Sequence, residues 1–131
     1  MKSEQHDSVK EFHETYGLSI QNSPSLPDEN IRSLRRDLLE EEFNEYMDGE
    51  EANDIVEISD ALADMIYIIY GTAISYGIPL DEIFKEVHSS NMSKLGTDGK
   101  PIRRGDGKIL KGPNYFEPKI EAIIKRNSSD G

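Results

Sequence analysis

The chain has 131 residues, a mass of 14.8 kDa, a formal net charge of -11 and neither cysteine nor tryptophan. That length predicts a single domain, 1-131, able to bury roughly two-thirds of its unfolded surface, and the missing cysteines exclude disulfides, thiolate metal sites and cysteine nucleophiles. Residues 1 to 93 carry 6 Lys and Arg against 21 Asp and Glu, whereas residues 94 to 131 carry 9 against 5. An acidic body with a basic C-terminal segment argues against a nucleic-acid polymer as partner and suits a small anionic substrate delivered on a divalent cation. The same distribution also neutralises itself within the chain.

No run of strand alternation precedes residue 96, and helices are expected throughout that stretch. A first helix from about Ser3 to Tyr16 puts Val9, Phe12 and Tyr16 on one side and stops at Gly17. After a loop with Pro24 and Pro27, Asp28 caps a second helix running to about Asp48. Gly49 to Asn53 is expected as a turn, with Asn53 or Asp54 capping a third helix that ends near Tyr76. That helix is the most apolar segment, central or at a subunit interface, yet Asp60, Asp64 and Gly71 interrupt it too often for a membrane span. Pro79 or Leu80 opens a fourth helix with Ile83, Phe84 and Val87 inward. Residues 96-117 form a basic loop or short hairpin, followed by a short helix from about Pro118 to Arg126 and a tail, 127-131, expected to fray. Met1 to Lys10 is polar and lacks the apolar core of a signal peptide, so a cytoplasmic location is the expectation.

The second helix breaks its own burial pattern. Ile31, Leu34 and Leu38 mark an apolar stripe at helical spacing, and its continuation lands on Glu41, Glu42 and Glu45. On the third helix Glu57, Asp60 and Asp64 are spaced three and four apart and share a stripe. Antiparallel helices joined by a short turn bring the two acidic stripes face to face. Carboxylates withdrawn from water must be protonated, paired with cations or bound to metal, because an isolated one costs several kcal/mol. All-oxygen donors select Mg²⁺ or Mn²⁺. A di-iron bundle is excluded by the lack of Glu-x-x-His, since the residues three before His6, His13 and His88 are Ser3, Lys10 and Lys85.

On the inward line of the fourth helix, after Phe84 and Val87, come Asn91 and, about a turn later, Lys94, beyond the apolar part of the core. Lys100, Arg103, Arg104, Lys108 and Lys111 follow, interleaved with glycines, as a flexible cationic segment suited to phosphate oxygens. No Gly-x-x-x-x-Gly-Lys-Ser/Thr pattern is present.

With Glu41-Glu42-x-x-Glu45 on one helix and Asp60-Ala61-Leu62-Ala63-Asp64 on the next, the chain resembles the all-α nucleoside triphosphate pyrophosphohydrolases. These are the MazG-like group that includes dimeric dUTPases and phosphoribosyl-ATP pyrophosphohydrolases. The resemblance continues through Phe12-His13, Tyr67-x-x-Tyr70-Gly71, Glu86 to Lys94 and Gly112-Pro113-Asn114-Tyr115. Ala61 stands where the family usually has glutamate. Asp60 or Glu57 is the substitute, and an alternative register takes Glu57-x-x-Asp60 as the motif itself.

The resemblance implies an all-α, MazG-like bundle of four main helices plus a basic loop and a short C-terminal helix. It implies hydrolysis of the α-β phosphoanhydride of a nucleoside triphosphate to the monophosphate and pyrophosphate. Glu42, Glu45 and Asp64, with Asp60 or Glu57, would hold the Mg²⁺ or Mn²⁺. Glu41 would orient or deprotonate the attacking water, and Asn91, Lys94, Lys108 and Lys111 would meet phosphate oxygens. Self-association as a homodimer, with a tetramer as the larger form, is expected. Phe12, His13, Tyr16 and Tyr67 are candidates for contact with a base. Two other functions fit the same residues: a helical module that senses nucleotide or metal without turnover, and an acidic module that engages a basic protein.

Overall fold

The computed structural model describes residues 2 to 128, and residues 129 to 131 of the expected frayed tail lie outside the described residues. Five helices and one two-stranded hairpin account for the regular structure of the described residues: α1 (Glu4–Tyr16), α2 (Glu29–Glu51), α3 (Ile55–Tyr76), α4 (Leu80–Met92), β1 (Ile102–Arg103), β2 (Ile109–Leu110) and α5 (Ile120–Ser128). The all-α expectation holds. The chain divides into two compact units, one of residues 2 to 79 with 127 and 128, the other Leu80–Arg126. Among the described residues no single helix is long and apolar enough to cross a membrane.

Local chemistry sets the helix ends in the first unit. Ser3 accepts the His6 N–H through its hydroxyl at 3.0 Å, and Asp28 accepts the Ile31 N–H at 3.0 Å. Asp54, rather than Asn53, caps α3, its carboxylate accepting the N–H groups of Val56 and Glu57 at 3.1 Å each. Such caps satisfy donors that a helix leaves open, contributing about 1 kcal/mol each. Asn53 takes the left-handed conformation in the turn, with φ 54°.

Gly49 does not end α2 as expected. The helix runs on to Glu51 because Gly49 is a packing position: a Cβ there would lie 3.0 Å from Ile58 Cγ1 and 3.1 Å from Ile58 N. The bare backbone lets the two helices meet just before the turn.

The principal helix pair is α2 with α3, and α1 packs on α3. Side-chain contacts pair early α2 with late α3, so the two run antiparallel. The buried line of α3 is built from small residues, Ala61, Gly71, Ala73 and Ser75, with Ile74. Small side chains permit close backbone approach. The larger Leu62, Ile66 and Ile69 stand exposed instead, as do Phe12 and Tyr16 on α1.

In the second unit, α4 buries Ile83 and Ser90, whereas Phe84, expected inward, is 69% exposed. Ser90 Oγ donates to the Phe116 carbonyl at 2.8 Å, Ser93 Oγ accepts the Phe116 N–H at 3.1 Å, and Glu86 accepts the Lys119 N–H at 2.8 Å. An ion pair joins Arg126 of α5 to Glu82 of α4. The segment expected as loop or hairpin forms a short antiparallel ladder, Ile102 opposite Leu110 and Arg103 opposite Ile109. Its turn is held by Arg104, which donates from Nε to Asp106 Oδ1 at 3.0 Å and pairs through Nη2 with Oδ2.

Candidate functional site

Three of the acidic residues meet across the α2–α3 seam. Glu42, Glu45 and Asp64 each offer an oxygen within 4.8 Å of the others, close enough for small side-chain movements to bring all three onto one cation. Glu42 and Glu45 are three apart on α2, hence on one face, and the antiparallel return of α3 delivers Asp64 opposite them. Glu42 and Asp64 are half-buried, and Glu45 is exposed.

Glu42 carries the imprint of this crowding. Its Oε2 is buried without a hydrogen-bond partner. Its carboxyl is pushed up to about 7, first by desolvation and then by the neighbouring Glu45 and Asp64 carboxylates. Buried polar atoms are rarely left unmatched in folded proteins, so an orphaned oxygen inside a carboxylate cluster calls for a proton or a cation.

The other acidic candidates are not in this group. Glu41 and Asp60 are exposed, and Glu57 is half-buried beside the α2–α3 turn, its Cβ 3.4 Å from where a Cβ on Gly49 would stand. Ala61, at the position where the resemblance leads one to look for glutamate, is 1% exposed, one turn before Asp64. Its buried side chain is a methyl group rather than an oxygen donor.

The remaining site candidates belong to the second unit. Asn91 is exposed, its carbonyl accepting the Lys94 N–H at 3.2 Å, and Lys94 is half-buried. Lys108 sits in the hairpin turn with its N–H on Asp106 Oδ1 at 3.1 Å, and the Lys111 ammonium lies 4.7 Å from the centroid of the Tyr115 ring. Of the base-contact candidates, Phe12 stacks at 4.6 Å on Tyr16 and meets Tyr67 edge-on at 5.6 Å, all three partly exposed, while His13 is 2% exposed.

Residues 9–91 match the model of the phosphoribosyl-ATP pyrophosphohydrolase family, a span holding the second half of α1, all of α2 and α3 and nearly all of α4. The chain belongs to that family. Both halves of the carboxylate cluster fall inside the family match, and Lys94, Lys108 and Lys111 fall beyond it. An uncharacterised protein of Acanthamoeba polyphaga mimivirus is 36% identical over 104 residues, covering 76% of this chain; the chain spans 39% of that relative's length. Among solved structures, one from Exiguobacterium sp. 255-15, provisionally named an NTP pyrophosphohydrolase, superposes with a TM-score of 0.57. At 24% identity over 99% of both chains, this is a likeness of fold.

One cluster on the same seam is not evident from the sequence. Arg35 is 6% exposed, and it reaches α3 beside Gly71 and His13. A signal existed: Arg35 falls four residues after Ile31, inside the apolar stripe of α2.

Proposed function

We propose that this member of the pyrophosphohydrolase family is a Mg²⁺- or Mn²⁺-dependent nucleoside triphosphate pyrophosphohydrolase. It hydrolyses the α-β phosphoanhydride and releases a nucleoside monophosphate and pyrophosphate. The observation that carries this is the buried, unmatched Oε2 of Glu42 on a carboxylate that clusters with those of Glu45 and Asp64, oxygens within 4.8 Å. Hard oxygen donors at that spacing fit Mg²⁺ or Mn²⁺, with Glu42, Glu45 and Asp64 as the holding residues and Glu57 or Asp60 as a further carboxylate. A bound divalent ion supplies charge neutralisation of the phosphates and a more acidic water.

The chain's own residues supply the rest. Glu41, next to Glu42 on α2, is the proposed acceptor of the proton from the attacking water. Asn91, Lys94, Lys108 and Lys111 are proposed as donors to phosphate oxygens on the chemistry of an amide and three ammonium groups. Self-association is proposed from exposed apolar side chains on α2 and α3, among them Leu34, Phe43, Met47, Leu62 and Ile66, an unusual load for an isolated surface. Light scattering coupled to size exclusion tests it, and a clean monomer rejects it.

The deciding assay incubates the purified chain with a panel of NTPs, dNTPs and phosphoribosyl-ATP plus Mg²⁺ or Mn²⁺. Pyrophosphate as product supports the assignment, and orthophosphate rejects the bond. A second function, nucleotide or metal sensing without turnover, is favoured by one observation: buried Ala61 withholds a carboxylate from the seam. It predicts triphosphate binding with no product.

A further inference from the structure

A second polar cluster lies on the α2–α3 seam, away from the carboxylates. Arg35 precedes Glu42 by seven residues on α2, and Ile68 and Thr72 follow Asp64 by four and eight on α3, placing this cluster about 10 Å along the seam from Glu42. Arg35 Nε donates to Thr72 Oγ1 at 3.1 Å, and Nη2 donates to the Ile68 carbonyl at 2.9 Å. The Thr72 hydroxyl donates to the same carbonyl at 3.0 Å, closing the triangle.

Among the described residues this cation meets no counter-charge: Arg35 forms no ion pair, whereas half-buried Arg32 and exposed Arg36 both reach Glu29. Burial pulls the guanidinium below its ordinary pKa. Keeping an unpaired charge out of water costs several kcal/mol, and an apolar side chain of similar volume would be more stabilising. Packing therefore does not account for Arg35.

Direction does. A guanidinium is a planar fork whose donors keep a fixed mutual geometry, whereas apolar contacts are non-directional and tolerate sliding. Two adjacent acceptors on α3, the Ile68 carbonyl and the Thr72 hydroxyl bonded to it, bind that fork only at one axial and rotational setting of the two helices. A slip of a single residue along the seam loses both bonds.

The surroundings are shaped around this contact. A Cβ on Gly71 would stand 2.3 Å from Arg35 Nη2 and 3.0 Å from His13 Nε2, so α3 lacks a side chain where the fork crosses it. His13 closes the other side from α1, donating from Nδ1 to the Ser19 carbonyl at 2.9 Å. Burial, with a smaller contribution from the Arg35 charge, lowers the His13 pKa, so the imidazole adds no second charge at neutral pH.

We propose that Arg35 is a positioning residue for the carboxylate cluster. By locking α2 to α3 through Ile68 and Thr72, it fixes the approach of Glu42 and Glu45 to Asp64 and so sets the affinity of that cluster for a divalent cation. The affinity half rests on the metal function proposed above, and the register half stands without it.

The test uses Arg35→Met and Thr72→Val, with Val9→Ala as a control that opens a cavity on α1. Because the chain has no cysteine, Asp37→Cys and Ser59→Cys, both at exposed positions on α2 and α3, accept spin labels for a distance measurement on the metal-free protein diluted with unlabelled chain. Arg35→Met is expected to displace or broaden the distance distribution and to weaken Mn²⁺ binding, read by calorimetry, by roughly tenfold or more. Thr72→Val moves both in the same direction by less, and Val9→Ala lowers thermal stability while leaving both unchanged. A wild-type distance distribution and wild-type Mn²⁺ affinity in Arg35→Met overturn the proposal. Should that variant not fold, the same two measurements on Thr72→Val decide the matter, and wild-type values there overturn the proposal equally. A wild-type chain that binds no Mn²⁺ defeats the metal function instead, and the label distances still decide whether Arg35 sets the register.

Discussion

Glu42 on α2 and Asp64 on α3 bring carboxylate oxygens within 4.8 Å of each other, with Glu45 completing the group. Burial, and then the neighbouring carboxylates at that distance, push the Glu42 carboxyl up to about 7. In the unfolded chain it titrates near the ordinary 4.5. Between those values the folded state holds a proton that the unfolded state has lost, so this group makes the metal-free protein less stable as pH rises from about 4.5 to about 7. Glu42→Gln removes the effect. The variant should match the wild type near pH 4.5 and exceed it above pH 7 by about 1 kcal/mol once solvent screening is allowed for. Urea titrations across that range measure it, and taking the difference between variant and wild type cancels His13, whose lowered pKa runs the opposite way. Hydrolytic activity should nearly vanish, and full retained activity would remove the metal site altogether.

Divalent cations should invert that pH dependence. Mn²⁺ at one hundred times its dissociation constant stabilises the fold by about 2.7 kcal/mol, seen as a rise in Tm of roughly 10 °C. Because the ion displaces the Glu42 proton, its affinity should fall as pH drops below about 7. Thermal scans with Mn²⁺, Mg²⁺ and EDTA at pH 6 and pH 8 report both effects, and an unchanged Tm at saturating metal would count against the cluster.

The two sequence registers for the second acidic motif make different demands on α3. Asp64 is within the cluster, whereas Glu57 is half-buried near the turn and Asp60 is exposed. Asp64→Asn should weaken Mn²⁺ binding at least tenfold, in line with the loss of a directly placed ligand, and Asp60→Asn by less than about twofold. Glu57→Gln is the informative intermediate. A loss matching that of Asp64→Asn would identify it as the carboxylate standing in for Ala61.

The parts of this molecule that were legible in the sequence are those decided by neighbours along the chain. Ser3, Asp28, Gly17 and Gly77 mark helix ends because capping chemistry acts within a turn, and Glu42, Glu45 and Asp64 showed themselves through spacing. Gly49 was illegible for the opposite reason: a glycine that ends a helix and one that lets Ile58 approach read alike until the partner helix is placed. Likewise, whether Glu41 or Glu45, Asp60 or Asp64 faces the seam depends on helix rotation, which tertiary packing sets. Phe84 turned outward, against expectation, because α4 buries Ile83 and Ser90 instead. Arg35 went unread because a charged residue in an apolar stripe is ordinarily a surface residue with its stem on the core, and only the position of Gly71 shows otherwise.

Gly17 and Gly77 end α1 and α3 in nearly the same backbone conformation, φ 69° and 71°, and the difference between them isolates packing from conformational strain. A Cβ on Gly17 meets nothing within 4 Å, so Gly17→Ala should cost only the left-handed penalty, about 1 to 2 kcal/mol. At Gly77 the same Cβ would stand 2.2 Å from the Ser23 carbonyl oxygen and 2.6 Å from its carbon. Backbone cannot swing aside as a side-chain tip can, and this stretch is pinned by the Ser25 N–H on the Tyr76 carbonyl at 3.0 Å and the Gln21 N–H on the Ile74 carbonyl at 3.0 Å. Gly77→Ala should therefore add a further 1 to 3 kcal/mol, roughly the overpacking range, and displace the loop before α2. Paired chemical denaturation of the two variants gives the difference directly. Equal losses would mean that Ser23 yields freely and that the loop is not held against the end of α3.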